Sequence, residues 1–204
     1  MQFIQNNVFN GFAFFPNIKY ASKAKKTFVF SFGIYSFLNS NIFCNRVVFV
    51  NTTLFFYDDV YGISKNLFDK FLFNLEKREF NFLKYFYKLC GISQKELMKF
   101  SFLIQSEKEF KKYKKYLLEK LKKVKSAFIN KNYLISIFKN KIKNKEIIFF
   151  ISKNDKVLPY TSQKNFLNLL KTLNIPFKYY EIKDNHFPKF LERYYELEFS
   201  KAKI

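Results

Sequence analysis

Apolar positions fall along this chain in three textures. In residues 1–57, short apolar runs alternate with Asn, Ser and Gly. The runs at 27–30 and 47–50 have the length and the branched or aromatic content of buried strands, so this part predicts an α/β arrangement. From Asp58 to about Asn144 the period lengthens. In "EFKKYKKYLLEKLKKVKSAF" the residues Phe110, Tyr113, Leu117, Leu121, Val124 and Phe128 recur at spacings of three and four. Such spacing predicts a helix with one packed face and a lysine-covered face opposite it. After Lys145 the α/β texture returns. "EIIFFI" reads as a strand, "SKNDKVLP" as a loop, "SQKNFLNLLKTL" as a helix, "IPFKYYEI" as a strand and "KDNH" as a loop, and 187–199 predicts a closing helix.

No internal repeat or flexible linker divides the sequence. Residues 1–204 are therefore expected to form one α/β domain, with the helical stretch 58–144 inserted into it. A chain of 204 residues can bury one full core, and a hydrophobic content of 49% excludes disorder.

Composition changes the picture in one respect. The chain holds 31 Phe, 14 Tyr, four Gly and no Trp, a usage that looks like AT-rich coding, and part of its lysine excess follows from the same bias. The formal charge of +21 still creates a field that steers acidic partners, nucleic acid or acidic protein. No zinc-ligand spacing and no RNP-like segment accompanies that charge, so nucleic acid is not the expected partner. Cys44 and Cys90 lie in apolar surroundings without the close spacing of metal or redox motifs, and read as small buried hydrophobes. Apolar runs break before the ~18 residues a membrane span needs, and no basic segment precedes the N-terminal one. A cytoplasmic protein without stable membrane association is the expectation.

The candidate chemistry begins at Val29-Phe30-Ser31-Phe32-Gly33. A strand leading directly into a serine and a small residue is the form of a turn that exposes a nucleophile, where neighbours two positions away are small so that backbones can approach. Gly33 fills one of those places and Val29 stands in the other. In "FFISKNDKVLP", Asp155 follows the strand end by four residues and precedes Pro159 by four. The chain's single histidine, His186, comes after the next strand, 31 residues beyond Asp155, which leaves room for one helix and one strand. Serine, aspartate and histidine in that order and spacing match the triad of an α/β-hydrolase. The chemistry needs each type. A serine hydroxyl is a poor nucleophile until an imidazole, with an ordinary pKa of about 6.5, accepts its proton, and a carboxylate must orient that imidazole. Backbone N–H groups for an oxyanion are expected from Phe32 and from the "VFNGFAFF" loop, at Gly11 or Phe12.

Three stretches then resemble one family, the pimeloyl-acyl carrier protein methyl ester esterases of biotin synthesis, in their short BioG and BioV types. "FVFSFG" is similar to their strand and nucleophile turn. "VVFVNTTLFFYDDVYGI" resembles the BioG segment with its Asn-x-Thr and Asp-Asp-x-x-Gly-Ile, while "ISKNDK" and "DNHF" resemble the acid and histidine loops. "FNGFAF" is similar to the opening loop of the BioV type. The likeness runs from about Phe9 to Phe187, and the Asn51 to Ile63 segment is its most discriminating part. Two departures stand out: 30 residues precede Ser31, and Val29 replaces the BioG alanine.

The resemblance implies a reduced α/β-hydrolase fold with a mainly parallel sheet and a helical lid over 58–144. It implies hydrolysis of the methyl ester on a pimeloyl chain that acyl carrier protein bears through phosphopantetheine, with no metal or organic cofactor. The carrier is acidic, which gives the +21 charge a role, and Lys111, Lys112, Lys114 and Lys115 are the expected carrier-binding residues. A generic esterase or thioesterase, or a non-catalytic binding protein of the same fold, would share this pattern.

Overall fold

A computed structural model describes residues 7–10, 23–99, 103–126 and 130–189. Among these described residues, five strands form one sheet in the order of the chain: β1 (Asn7–Asn10), β2 (Lys23–Phe30), β3 (Phe43–Val50), β4 (Glu146–Ser152) and β5 (Lys178–Ile182). All four pairings are parallel. A parallel sheet covered on both faces favours strands that are apolar on both sides, and the last four residues of β3 are buried without alternation.

Register aligns the carboxyl ends. Phe30 pairs with Val50, Val50 with Phe150, and Ser152 with Ile182. The loops after β2, β3, β4 and β5 therefore leave the sheet along one edge, where ligands of open parallel sheets bind.

Helices α1 (Gly33–Leu38), α6 (Lys131–Ile142) and α7 (Tyr160–Thr172) close one face of the sheet. Phe49 and Phe149, partners in register, stack at 4.9 Å, and they meet Phe37 of α1, Phe138 of α6 and Phe166 of α7 at ring separations of 5.6 to 6.0 Å. Each fully buried ring of this kind contributes about 2 to 3 kcal/mol of transfer free energy. The sequence's phenylalanine excess fills this layer first.

Between β3 and α6 lie α2 (Lys65–Lys77), α3 (Glu79–Leu89), α4 (Gln94–Leu97) and α5 (Glu107–Ser126). Their starts are written in the sequence. Ser64 caps α2 through Leu67 N–H, and Ser93 and Glu96 form a reciprocal capping box on α4. On α5, Phe110, Leu117, Leu121 and Val124 are buried, Tyr113 is half-buried, and Phe128 lies outside the described residues. Lys114, Lys122 and Lys125 pair with Glu79, Glu76 and Asp69 on the two helices below. Helix α6 belongs to the layer under the sheet, through Phe138.

The loop leading into α2 is held by Asp58, whose Oδ1 accepts from the N–H groups of Val60 and Tyr61 and whose Oδ2 lies 2.6 Å from Lys131 Nζ. Burial alone would raise the pKa of this carboxyl, but the Lys131 and backbone hydrogen bonds outweigh it and hold the group below its ordinary value. Both cysteines are buried and unbridged. Among the described residues, no helix is long and apolar enough to cross a membrane. Residues 187–189 are not helical, and the rest of the expected closing helix lies outside the described residues.

Candidate active site

Ser31 follows the last residue of β2 and takes a left-handed backbone, φ +50°. That conformation costs a non-glycine residue on the order of 1 kcal/mol or more, and it persists where the surroundings over-determine it. Here they do. Ser31 N–H donates to Val50 O at 3.1 Å, its carbonyl accepts from Ile34 N–H at 3.3 Å, and Thr52 Oγ1 donates to the same carbonyl at 2.7 Å. Phe32 then caps α1. Val29, in the place where a glycine would ease the turn, is fully buried in β2 and does not prevent it.

Asp155 sits in the loop after β4. Its Oδ1 accepts from the N–H groups of Val157 and Leu158, both at 2.8 Å. Its Oδ2 lies 3.2 Å from Gln163 Nε2 and 2.7 Å from His186 Nδ1. His186 Nε2 is 2.9 Å from Ser31 Oγ. With Nδ1–H donating to the carboxylate, Nε2 carries the lone pair and faces the serine hydroxyl. All three side chains are buried: Ser31 is 1%, Asp155 9% and His186 0% exposed. The structure thus brings the three sequence-predicted residues into one hydrogen-bonded chain.

The histidine loop is held on several sides. The Phe30 ring lies 5.2 Å from the imidazole. Asn51 Nδ2 donates to His186 O at 2.6 Å, and Phe187 N–H donates to Cys90 O at 2.8 Å. Burial pushes the Cys90 thiol well above its ordinary pKa, with the Asp155 charge adding to the effect, so this cysteine is a packed neutral group. Sequence reasoning did not find Asn51, Thr52, Gln163 or Cys90 as part of the site. The available signals were an asparagine directly after a buried strand and its place at the head of the Asn-x-Thr in the segment from Asn51 to Ile63, neither of which gave it a role in the site.

Beside Phe32 opens a cleft of about 320 Å³, lined by Phe32, Leu67, Phe68, Phe71, Phe86 and Val157 and bordered by the exposed Lys70 and Lys156. Helices α2 and α3 supply most of its wall. Of the other expected oxyanion donors, Gly11 and Phe12 lie outside the described residues. The four expected carrier-binding lysines differ among themselves. Lys111 pairs with Glu107 on its own helix, and Lys114 is partly buried between Glu79 and the carbonyl of Glu76. Lys112 and Lys115 are exposed, with Lys112 Nζ 5.1 Å from the centre of the Tyr113 ring.

No family model and no curated protein sequence matches the chain. Solved structures do. A hydrolase from Oleispira antarctica superposes with a TM-score of 0.55 at 11% identity, covering 88% of this chain and 65% of its own. An α/β-hydrolase enzyme from a Medee basin deep-sea metagenome library gives 0.50 at 13% identity, covering 90% of this chain and 67% of the other. The fold is that of an α/β-hydrolase. BioG from Haemophilus influenzae also matches, with a TM-score of 0.46 at 19% identity over 79% of this chain and 66% of that one. The chain spans just under two thirds of the BioG and Oleispira structures.

Proposed function

We propose that this α/β-hydrolase is a serine carboxylic ester hydrolase that cleaves the methyl ester of a pimeloyl chain carried by acyl carrier protein. The observation that carries the hydrolytic part is the chain of contacts from Ser31 Oγ through His186 to Asp155, at 2.9 and 2.7 Å. That geometry supports reading Ser31 as an activated serine. Ser31 Oγ attacks the ester carbonyl as His186 Nε2 takes the hydroxyl proton, and the Asp155 carboxylate stabilises the imidazolium that forms. The oxyanion is assigned to the N–H of Phe32, with the second donor from the Gly11 and Phe12 loop. Collapse passes the proton from His186 to the departing methoxy oxygen, releasing methanol and leaving an acyl-Ser31. Water, deprotonated by His186, then hydrolyses the acyl-enzyme to free carboxylate and restores the serine.

The substrate assignment rests on the sequence resemblance in "FVFSFG", "VVFVNTTLFFYDDVYGI", "ISKNDK" and "DNHF". Two physical features agree with it. The cleft beside Phe32 is apolar enough for a methylene chain, and the net charge of +21 suits an acidic carrier.

The test compares methyl pimeloyl-carrier with short acyl esters, using the wild type and Ser31→Ala. The wild type should turn over the carrier-linked ester faster, and Ser31→Ala should lose on the order of 10³-fold or more in kcat while remaining folded. A fluorophosphonate should label the wild type and not the variant. An active Ser31→Ala overturns the mechanism. Faster cleavage of short esters overturns the substrate and leaves a generic esterase.

A further inference from the structure

The two residues after β3 bond to all three segments that carry the triad. Thr52 Oγ1 donates to the carbonyl of Ser31 at 2.7 Å. Asn51 Nδ2 lies 2.6 Å from His186 O, 2.7 Å from Ser152 Oγ and 3.2 Å from Asn185 O, and Asn51 Oδ1 accepts from Ser152 N–H at 2.9 Å. Ser152 ends β4, three residues before Asp155. Asn51 is itself immobilised. It is fully buried, its N–H donates to Phe150 O at 3.0 Å, and its backbone is left-handed at φ +44°. Asparagine tolerates that region better than most side chains, which explains the residue type only in part, because glycine would tolerate it more easily.

What glycine lacks is the amide. A buried carbonyl needs a donor, and any donor on this edge of the sheet could supply one. The acceptor chosen here is the carbonyl of His186 itself, while the other end of the same amide holds the strand that leads to Asp155. We propose that Asn51 is the positioning residue of this hydrolase site, fixing the His186 main chain against β4 so that the imidazole reaches Asp155 and Ser31 together. The inference rests on reading those three residues as the catalytic triad. A displacement of about 1 Å at a reacting group costs ~100-fold in rate, so a single amide at this junction has a large effect without touching substrate.

Asn51→Gly keeps the left-handed backbone and removes the amide. Asn51→Asp keeps the shape and the acceptor for Ser152 N–H, but turns an oxygen toward two carbonyls. Both are assayed with a small neutral ester and by NMR of the imidazole, which is unambiguous because the chain has one histidine. The expected result is a folded Asn51→Gly whose kcat falls ~10- to 100-fold with KM nearly unchanged. Its His186 Nδ1–H resonance should be shifted or lost relative to the wild type, and Asn51→Asp should behave alike. A folded Asn51→Gly with wild-type kcat and an unchanged imidazole resonance overturns the proposal. Should Asn51→Gly not fold, Asn51→Asp decides by the same two readouts, and failure of both to fold overturns it by assigning Asn51 to stability alone. The resonance is read without turnover, so an unmoved imidazole is distinguishable from failure of the hydrolase reading, which an active Ser31→Ala reveals.

Discussion

The N–H of Phe187 donates to the carbonyl of Cys90 across 2.8 Å, joining the end of α3 to the residue after the histidine. The same helix end brings Gly91 against Asn185. Gly91 has φ +87°, and a Cβ added there would lie 2.5 Å from Asn185 Cβ. The helices that wall the cleft are thereby attached to the loop that carries His186.

Gly91→Ala should push that loop. The added methyl meets a side-chain carbon closer than real Cβ atoms approach, and the positive φ adds strain of about 1 kcal/mol. The expected outcome is a lowered denaturation midpoint together with a loss of kcat beyond what the unfolded fraction explains. Urea titration and initial rates on one small ester measure both. Wild-type values for each would show that the α3 end does not constrain the histidine loop.

Acidification should abolish the proposed activity through one group. His186 must be neutral at Nε2 to accept the Ser31 proton, so kcat/KM should fall as the imidazole protonates and recover when pH is raised. No second histidine confuses the profile. His186→Gln should remove the acid limb along with most of the activity. A wild-type profile without an acid limb contradicts this role for His186.

Salt should separate the two kinds of substrate. Charged docking acts mainly on association and is screened beyond roughly 8 Å at physiological ionic strength. Raising salt is therefore expected to slow the carrier-linked ester and leave p-nitrophenyl butyrate nearly unaffected. Among the lysines of α5, Lys112 and Lys115 are the ones to reverse, because Lys114→Glu would also break the Glu79 contact between helices. Lys112→Glu with Lys115→Glu should reproduce the high-salt behaviour at low salt. Equal salt sensitivity for both substrates would return this helix face to ordinary solvation.

Local chemistry made much of this protein readable in one dimension. The runs at 27–30 and 47–50 are buried throughout and fall within β2 and β3, because a fully buried parallel strand admits little besides branched and aromatic residues, and the apolar run at 147–151 falls within β4, where buried and half-buried positions alternate. The three-and-four spacing in α5 names four of the residues buried there, Phe110, Leu117, Leu121 and Val124, and misses Leu118, which is buried beside them. Ser31, Asp155 and His186 were legible because each follows a strand, and strand ends are local signals. Their meeting was not local. His186 is 155 residues from Ser31 in sequence and 2.9 Å from it in space, and that contact exists because the parallel register brings four carboxyl ends to one edge. The same long range hid Asn51, whose main acceptor lies 135 residues away and is a backbone carbonyl with no side-chain signature. It also hid the difference among the lysines. Lys112 and Lys114 look alike in a basic helix, but the rotation of α5 on α3 exposes one and sets the other beside Glu79. Periodicity and residue type determined which elements form and which residues carry chemistry; packing between elements decided which of those residues meet, because hydrogen bonds and ion pairs depend on distances that the chain order does not contain.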